Sequence, residues 1–125
     1  MLLDTCALIW LTTGDKQLSA KARRAINEAA AVYVSSISAF EIAYATAKGS
    51  LELPCDAERW YHEVLHQHSL TEILLSGKIV IASTKLPMVH KDPCDRFIIA
   101  TARSENLPIV TADRIFQKYG VMIID

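Results

Sequence analysis

Short runs of aliphatic and β-branched residues alternate along this chain with longer stretches of helical periodicity, and few architectures accommodate that alternation. Leu2-Leu3 reads as a buried strand ending in a carboxylate, Asp4, and the helical residues Ala7 to Leu11 that follow are broken at Gly14-Asp15. Ser19 caps a helix from Ala20 to about Ala31, with Ala22, Ala25, Ile26 and Ala29 spaced to share one face. Val32 to Ser35 is built of strand formers, and Ser38 opens a helix through Ala47 that stops at Lys48-Gly49. Asp56 caps a helix to about Gln67, in which Ala57, Trp60, Tyr61, Val64 and Leu65 form an apolar stripe.

The second half repeats the pattern. Residues 70–75 are assigned to a strand and 77–85 to a helix, although Ile79-Val80-Ile81 has strand propensity; Ser76 as cap and Pro87 beyond the end decide for helix. Pro93 begins a helix to Glu105, Ile109 to Thr111 forms a strand, Arg114 to Lys118 a short helix, and Val121 to Ile124 a last strand. Strands separated by helices cannot pair as hairpins, so the pattern predicts an α/β fold, a three-layer αβα sandwich with a central parallel sheet and right-handed crossovers. With 125 residues, no repeats and no linker, the expectation is a single domain spanning 1–125.

Ligands of open parallel sheets bind beyond the carboxyl ends of the strands. Asp4 and Asp113 lie just past two such ends. Glu41, placed in the first turn of the helix after the second strand, and Asp95, in the first turn of the helix from Pro93, also start on that edge. With strand order 3-2-1-4-5 the four acids converge on one rim. Each has an ordinary reading as well: Ser38-x-x-Glu41 is a capping-box pattern, Asp92 caps with Asp95 at the third helical position, and Asp4 and Asp113 can cap the helices after them. Their joint placement needs more, because like charges about 4 Å apart repel by about 4 kcal/mol at an effective dielectric near 20. A hard divalent cation relieves that repulsion, and Mg²⁺ or Mn²⁺ suits an all-carboxylate site. Such an ion lowers the pKa of a bound water and balances charge as a phosphodiester reacts.

Bulk properties narrow the partners. The formal net charge is −1, so the chain lacks the overall basic field of a non-specific nucleic-acid binder, and any such contact must be local or metal-mediated. Lys21, Arg23, Arg24, Lys48, Lys91 and Arg114 are candidates for a basic rim, or simply for a solvated surface. Cys6, Cys55 and Cys94 contain no C-x-x-C pair, which favours small buried thiols in a reducing compartment; a cytoplasmic location is expected. Neither a signal peptide nor a membrane span is expected from the opening Met-Leu-Leu-Asp and the absence of long apolar runs. A chain that is 51% hydrophobic is expected to expose an apolar patch for a partner.

The ordered set L-L-D-T, S-x-x-E-I, H-x-D-P-x-D-R with I-A-x-A, and V-T-A-D resembles the PIN domain, and within it the VapC-type toxins of toxin-antitoxin modules. The similarity runs from Leu2 to the final strand. It implies a metal-dependent endoribonuclease acting on RNA, a cognate antitoxin partner covering an apolar groove, and a homodimer. It further implies Mg²⁺ or Mn²⁺ held by Asp4, Asp95 and Asp113, with Glu41 orienting the attacking water or a second ion. Thr5, Ser38 and Thr111 would support those acids with their hydroxyls. Arg96 is a possible phosphate contact or a surface ion pair. Cys6 stands where relatives often carry His, and Cys94 where Phe is frequent; neither replaces a ligand.

Two other readings compete. A catalytically silent PIN-like module that binds RNA or protein would share the scaffold, since fold does not fix function. His62-Glu63-Val64-Leu65-His66 matches the H-E-x-x-H zinc-protease motif, but helical geometry places His62 and His66 opposite the apolar stripe, facing solvent, and Ser69 and Glu72 stand where the extended motif has Gly and His.

Overall fold

A computed structural model describes residues 1–125. Five strands form one parallel sheet: β1 (Leu2–Leu3), β2 (Val32–Ser35), β3 (Leu70–Ile73), β4 (Ile109–Val110) and β5 (Ile123–Ile124), in the order β3-β2-β1-β4-β5. β1 is central, with Leu2 and Leu3 registered on Tyr33 and Val34 of β2 and on Ile109 and Val110 of β4. Helices α1 (Thr5–Thr13), α2 (Ala20–Glu28), α3 (Ser36–Ala47), α4 (Ala57–Gln67), α5 (Gly77–Thr84) and α6 (Pro93–Glu105) join the strands, and a 3₁₀ helix, Arg114–Tyr119, leads to β5.

The sheet is covered on both faces, as a parallel sheet requires. Leu3, Val34 and Val110 pack with Leu8, Ile26, Ile42 and the α4 stripe Trp60, Tyr61 and Val64 on one side. On the other, Leu2 and Ile109 pack with Ile79, Ile98, Ile99 and Phe116. Leu2 and Leu3 are both 0% exposed although they project from opposite faces, so a one-residue register slip would exchange the two cores. Truncating either leucine to alanine should cost about 2–5 kcal/mol. That rigidity fixes where Asp4, the next residue, emerges.

Several element ends differ from the sequence expectation, each for a local reason. α1 begins at Thr5 rather than Ala7, because the Asp4 carboxylate accepts the Ala7 N–H at 2.7 Å, and it runs to Thr13 before Gly14 (φ 69°) turns it off. α2 ends at Glu28, where Ala29 becomes extended. β3 stops at Ile73, level with Ser35 at the end of β2, and the Leu75 N–H is taken by Ser36 Oγ at 2.9 Å. β4 ends at Val110 and β5 is confined to Ile123–Ile124, because β1 supplies only two residues of ladder at the centre of the sheet. The short helix before β5 is 3₁₀ and extends to Tyr119. The β-branched stretch at 79–81 is helical: Ser76 caps α5 by accepting the Ile79 N–H at 3.2 Å.

The cysteines are not the buried thiols expected. Cys6 is exposed and Cys55 and Cys94 are half-buried, all three as free thiols. No helix is long and apolar enough to cross a membrane.

Candidate active site

The carboxyl ends of β1 and β4 are tied together where the Asp4 N–H donates to the Val110 carbonyl at 3.1 Å. Helices α1, α3 and α6 all start on this edge, so their positive ends favour anionic groups there. Asp4 and Asp113 are caps, as the ordinary reading had it. Asp4 caps α1, and Asp113 Oδ1 accepts the Ile115 N–H at 3.0 Å. One oxygen of each carboxylate is occupied in this way, and the other is directed elsewhere.

Glu41 departs from the expected capping box. Ser35 caps α3, so Glu41 is the sixth residue of the helix rather than a member of its first turn. Its Oε1 instead accepts the Thr5 hydroxyl at 2.6 Å, across from another element. Ser38 Oγ lies 2.8 Å from the same Thr5 oxygen; the Thr5 proton is committed to Glu41, so Ser38 is the donor of that second bond. A chain Ser38–Thr5–Glu41 thus fixes the glutamate beside Asp4. Burial pushes the Glu41 carboxyl up, the Thr5 bond holds it back, and the charges of Asp92 and Asp4 raise it further. Asp4, only 7% exposed, is also raised by burial; bonds from Thr111 and the Ala7 N–H oppose this, and Asp113 adds to it. Thr111 also accepts the Asp113 N–H at 3.0 Å, linking β4 to both acids.

Asp95 and Asp113 meet through a residue that the sequence reading did not assign. His90 Nε2 hydrogen-bonds Asp113 Oδ2 at 3.0 Å and lies 3.0 Å from Asp95 Oδ2. The three residues bring one ligand atom each within 4.8 Å of one another. Burial, then the charge of Asp92, lifts the Asp95 carboxyl to about 7; the imidazole pulls it back, and Glu41 and Asp4 push it up. His90 was visible as the first residue of H-x-D-P-x-D-R, five positions before Asp95, but nothing in the one-dimensional pattern showed which way the intervening loop folds.

Arg96 is neither a phosphate contact nor a surface ion pair. It is 6% exposed, and its guanidinium donates to the carbonyls of Ser83, Leu86, Pro87 and His90 at 2.8 to 3.1 Å, pinning the segment that carries His90. Two members of the proposed basic rim are likewise engaged: Arg23 donates to the Trp10 and Asp15 carbonyls, and Arg114 approaches Asp125 at 3.4 Å.

Three of the four acids named from the sequence are thus raised by acidic neighbours: Asp4 by Asp113, Glu41 by Asp92 and Asp4, and Asp95 by Asp92, Glu41 and Asp4. The tightest donor set is His90, Asp95 and Asp113; Asp4 and Glu41 stand outside it. Two exposed or half-exposed thiols report the same negative field: the surrounding protein first, then Asp4, Asp95 and Glu41 raise Cys6 to about 11, and Cys94 is raised to about 11 by burial and by Glu41, Asp92 and Asp95. Crowded carboxylates held away from their ordinary titration range are the donor chemistry that a hard divalent cation satisfies. His62 and His66 are exposed on α4, with no third ligand set around them.

Comparison with known proteins identifies the family and the fold. A family model described as the PIN domain matches residues 1–122. Ribonuclease VapC22 of Mycobacterium tuberculosis is 30% identical over 115 residues, which is 91% of this chain and 87% of that protein. Among solved structures, VapBC2 from Rickettsia felis bound to a DNA fragment from their promoter superposes with a TM-score of 0.70 at 16% identity, over 98% of this chain and 96% of that one. A toxin-antitoxin complex from Klebsiella pneumoniae gives 0.69 at 21% identity, over 99% and 95%. These structural likenesses carry the fold.

Proposed function

The chain belongs to the PIN-domain family, and on that premise we propose that it is a metal-dependent endoribonuclease, the toxin of a toxin-antitoxin pair. The observation that carries the reading is the single acidic rim: Asp4, Glu41, Asp95 and Asp113 crowd together, and the basic side chain that reaches them is one imidazole. Asp4, Asp95 and Asp113 would hold Mg²⁺ or Mn²⁺, which supplies charge neutralisation and an activated water when bound. Glu41, fixed through Thr5 and Ser38, would orient an attacking water by accepting a hydrogen bond from its O–H. Thr111 keeps Asp4 and Asp113 at their spacing. The start of α6 adds a positive dipole end toward the scissile phosphate.

The likeness to VapBC2 from Rickettsia felis and to the toxin-antitoxin complex from Klebsiella pneumoniae supports an antitoxin partner here. Exposed Phe40 and Tyr44, stacked at 5.7 Å on the α3 face that also bears Glu41, supply apolar surface for it. A homodimer and a cytoplasmic location complete the proposal; the single domain 1–125 is its unit.

Purified protein incubated with RNA should cut it in Mn²⁺ or Mg²⁺ and stop in chelator. Asp95→Asn and Asp4→Asn, each folded, should lose more than the roughly 100-fold that removal of an outer partner costs. Cleavage that survives both changes contradicts the site assignment, and RNA binding without cleavage would identify a silent binding module instead.

A further inference from the structure

His90 has more fixed contacts than an incidental neighbour of two aspartates requires. Its N–H donates to Tyr119 Oη at 2.6 Å and its carbonyl accepts from Arg96 Nη1 at 3.1 Å. Tyr119 in turn donates to the Pro87 carbonyl at 2.8 Å, so the loop is held from both the 3₁₀ helix and α6. The imidazole packs edge-on against Phe116, centroids 5.7 Å apart at 74°. Its two nitrogens are assigned by their partners. Nδ1 accepts the Asp92 N–H at 3.2 Å, which leaves no room for a proton there. With Nδ1 acting as an acceptor, the ring proton lies on Nε2, aimed at Asp113 Oδ2, with Asp95 Oδ2 at equal distance beside it.

We infer that His90 is a positioning residue: it donates through Nε2–H to set the spacing of Asp95 and Asp113, and it does not ligate the cation. This rests on the metal-site reading above and extends it to a residue outside the carboxylate set. A nitrogen that carries a proton has no lone pair for a metal, and moving that proton to Nδ1 would set it against the Asp92 N–H. The imidazole thus takes one oxygen of Asp113 and borders one of Asp95, so the carboxylate lone pairs it does not engage would be the ones offered to a cation. Arg96 and Tyr119 act one step further out, by fixing the backbone of His90.

The test is Mn²⁺ binding by the full chain, followed by calorimetry and by pulsed electron paramagnetic resonance, for wild type, His90→Phe, His90→Gln and Asp95→Asn. His90→Phe removes the donor and should weaken Mn²⁺ by about 10- to 100-fold, the usual range for an outer partner. His90→Gln places an amide N–H where Nε2–H stood and should recover most of the loss, which a merely structural role would not predict. The spin-echo spectrum of the wild type should show no directly coordinated ¹⁴N. A strong coordinated-nitrogen signal would make His90 a ligand and overturn the inference, as would unchanged affinity in His90→Phe while Asp95→Asn loses binding. Equal Mn²⁺ binding by wild type and Asp95→Asn would instead sink the metal-site reading, and this inference with it. Should His90→Phe fail to fold, ¹⁵N chemical shifts of the wild-type ring decide alone: protonated Nε2 supports the role and protonated Nδ1 refutes it.

Discussion

The two halves of the acidic rim are built by different means. Asp4 and Glu41 are held by neutral hydroxyls, Thr5, Ser38 and Thr111, all buried and all on the strand ends and first turns that define the fold. Asp95 and Asp113 are bridged by an imidazole that arrives on an irregular loop, and that loop is anchored by a buried guanidinium. The first half is therefore as rigid as the sheet, while the second depends on one segment, residues 85–92, staying in place. Burying Arg96 is tolerable because four carbonyls satisfy it, and satisfying those carbonyls is what gives the loop a single conformation.

This contrast can be broken most forcefully at Arg96. Arg96→Met removes four charge-assisted bonds and leaves the Leu86 and His90 carbonyls without a donor, so denaturant unfolding should show a loss of about 3 kcal/mol or more. The affinity for Mn²⁺ should fall with it, through displacement of His90. Unaltered affinity in a folded Arg96→Met protein would show that the loop does not govern the second half.

Thr5→Val is the matching change in the first half. It keeps shape and burial but cuts both the Glu41 and the Ser38 bonds, leaving a buried hydroxyl unpaired; about 1–2 kcal/mol of stability and about 10-fold in cleavage rate should be lost. Mn²⁺ affinity should change little, since Glu41 is assigned to water rather than to the ion. A large drop in affinity would move Glu41 into the ligand set.

Asp95 also gives the second half a pH signature. Its carboxyl titrates near about 7 in the folded chain, against an ordinary 3.8, so the folded state retains a proton that the unfolded chain releases. Stability from this source is fully present below about pH 4 and is lost as pH rises to about 7. In chelator the melting temperature should decline over that window, Asp95→Asn should flatten the decline, and Mn²⁺ added above it should restore the melting temperature. A decline of the same size in Asp95→Asn would place its origin elsewhere. The smallest effect is expected at α4, where His62→Ala and His66→Ala should leave cleavage and Mn²⁺ binding unchanged.

The same contrast explains what could be read from the sequence. Alternating strands and helices, and acids just past Leu3 and Val110, are local patterns, and the parallel sheet places them on one edge in the order β3-β2-β1-β4-β5. Thr5, Ser38 and Thr111 came from the resemblance to the PIN domain rather than from any local pattern, and the structure sets their hydroxyls beside the acids. Ser38-x-x-Glu41 misled because Ser35 competed successfully for the cap, and a capping box cannot be told from a tertiary contact by spacing alone. His90 and the true role of Arg96 were hidden because both depend on the path of an irregular loop, where no periodicity constrains direction.

Crystals of the full chain grown with Mn²⁺ and measured at the manganese edge test the central claim most directly. An anomalous peak at about 2.0–2.3 Å from carboxylate oxygens of Asp4, Asp95 and Asp113 is the predicted result. No peak on this rim, or manganese bound at His62 and His66 instead, would contradict it.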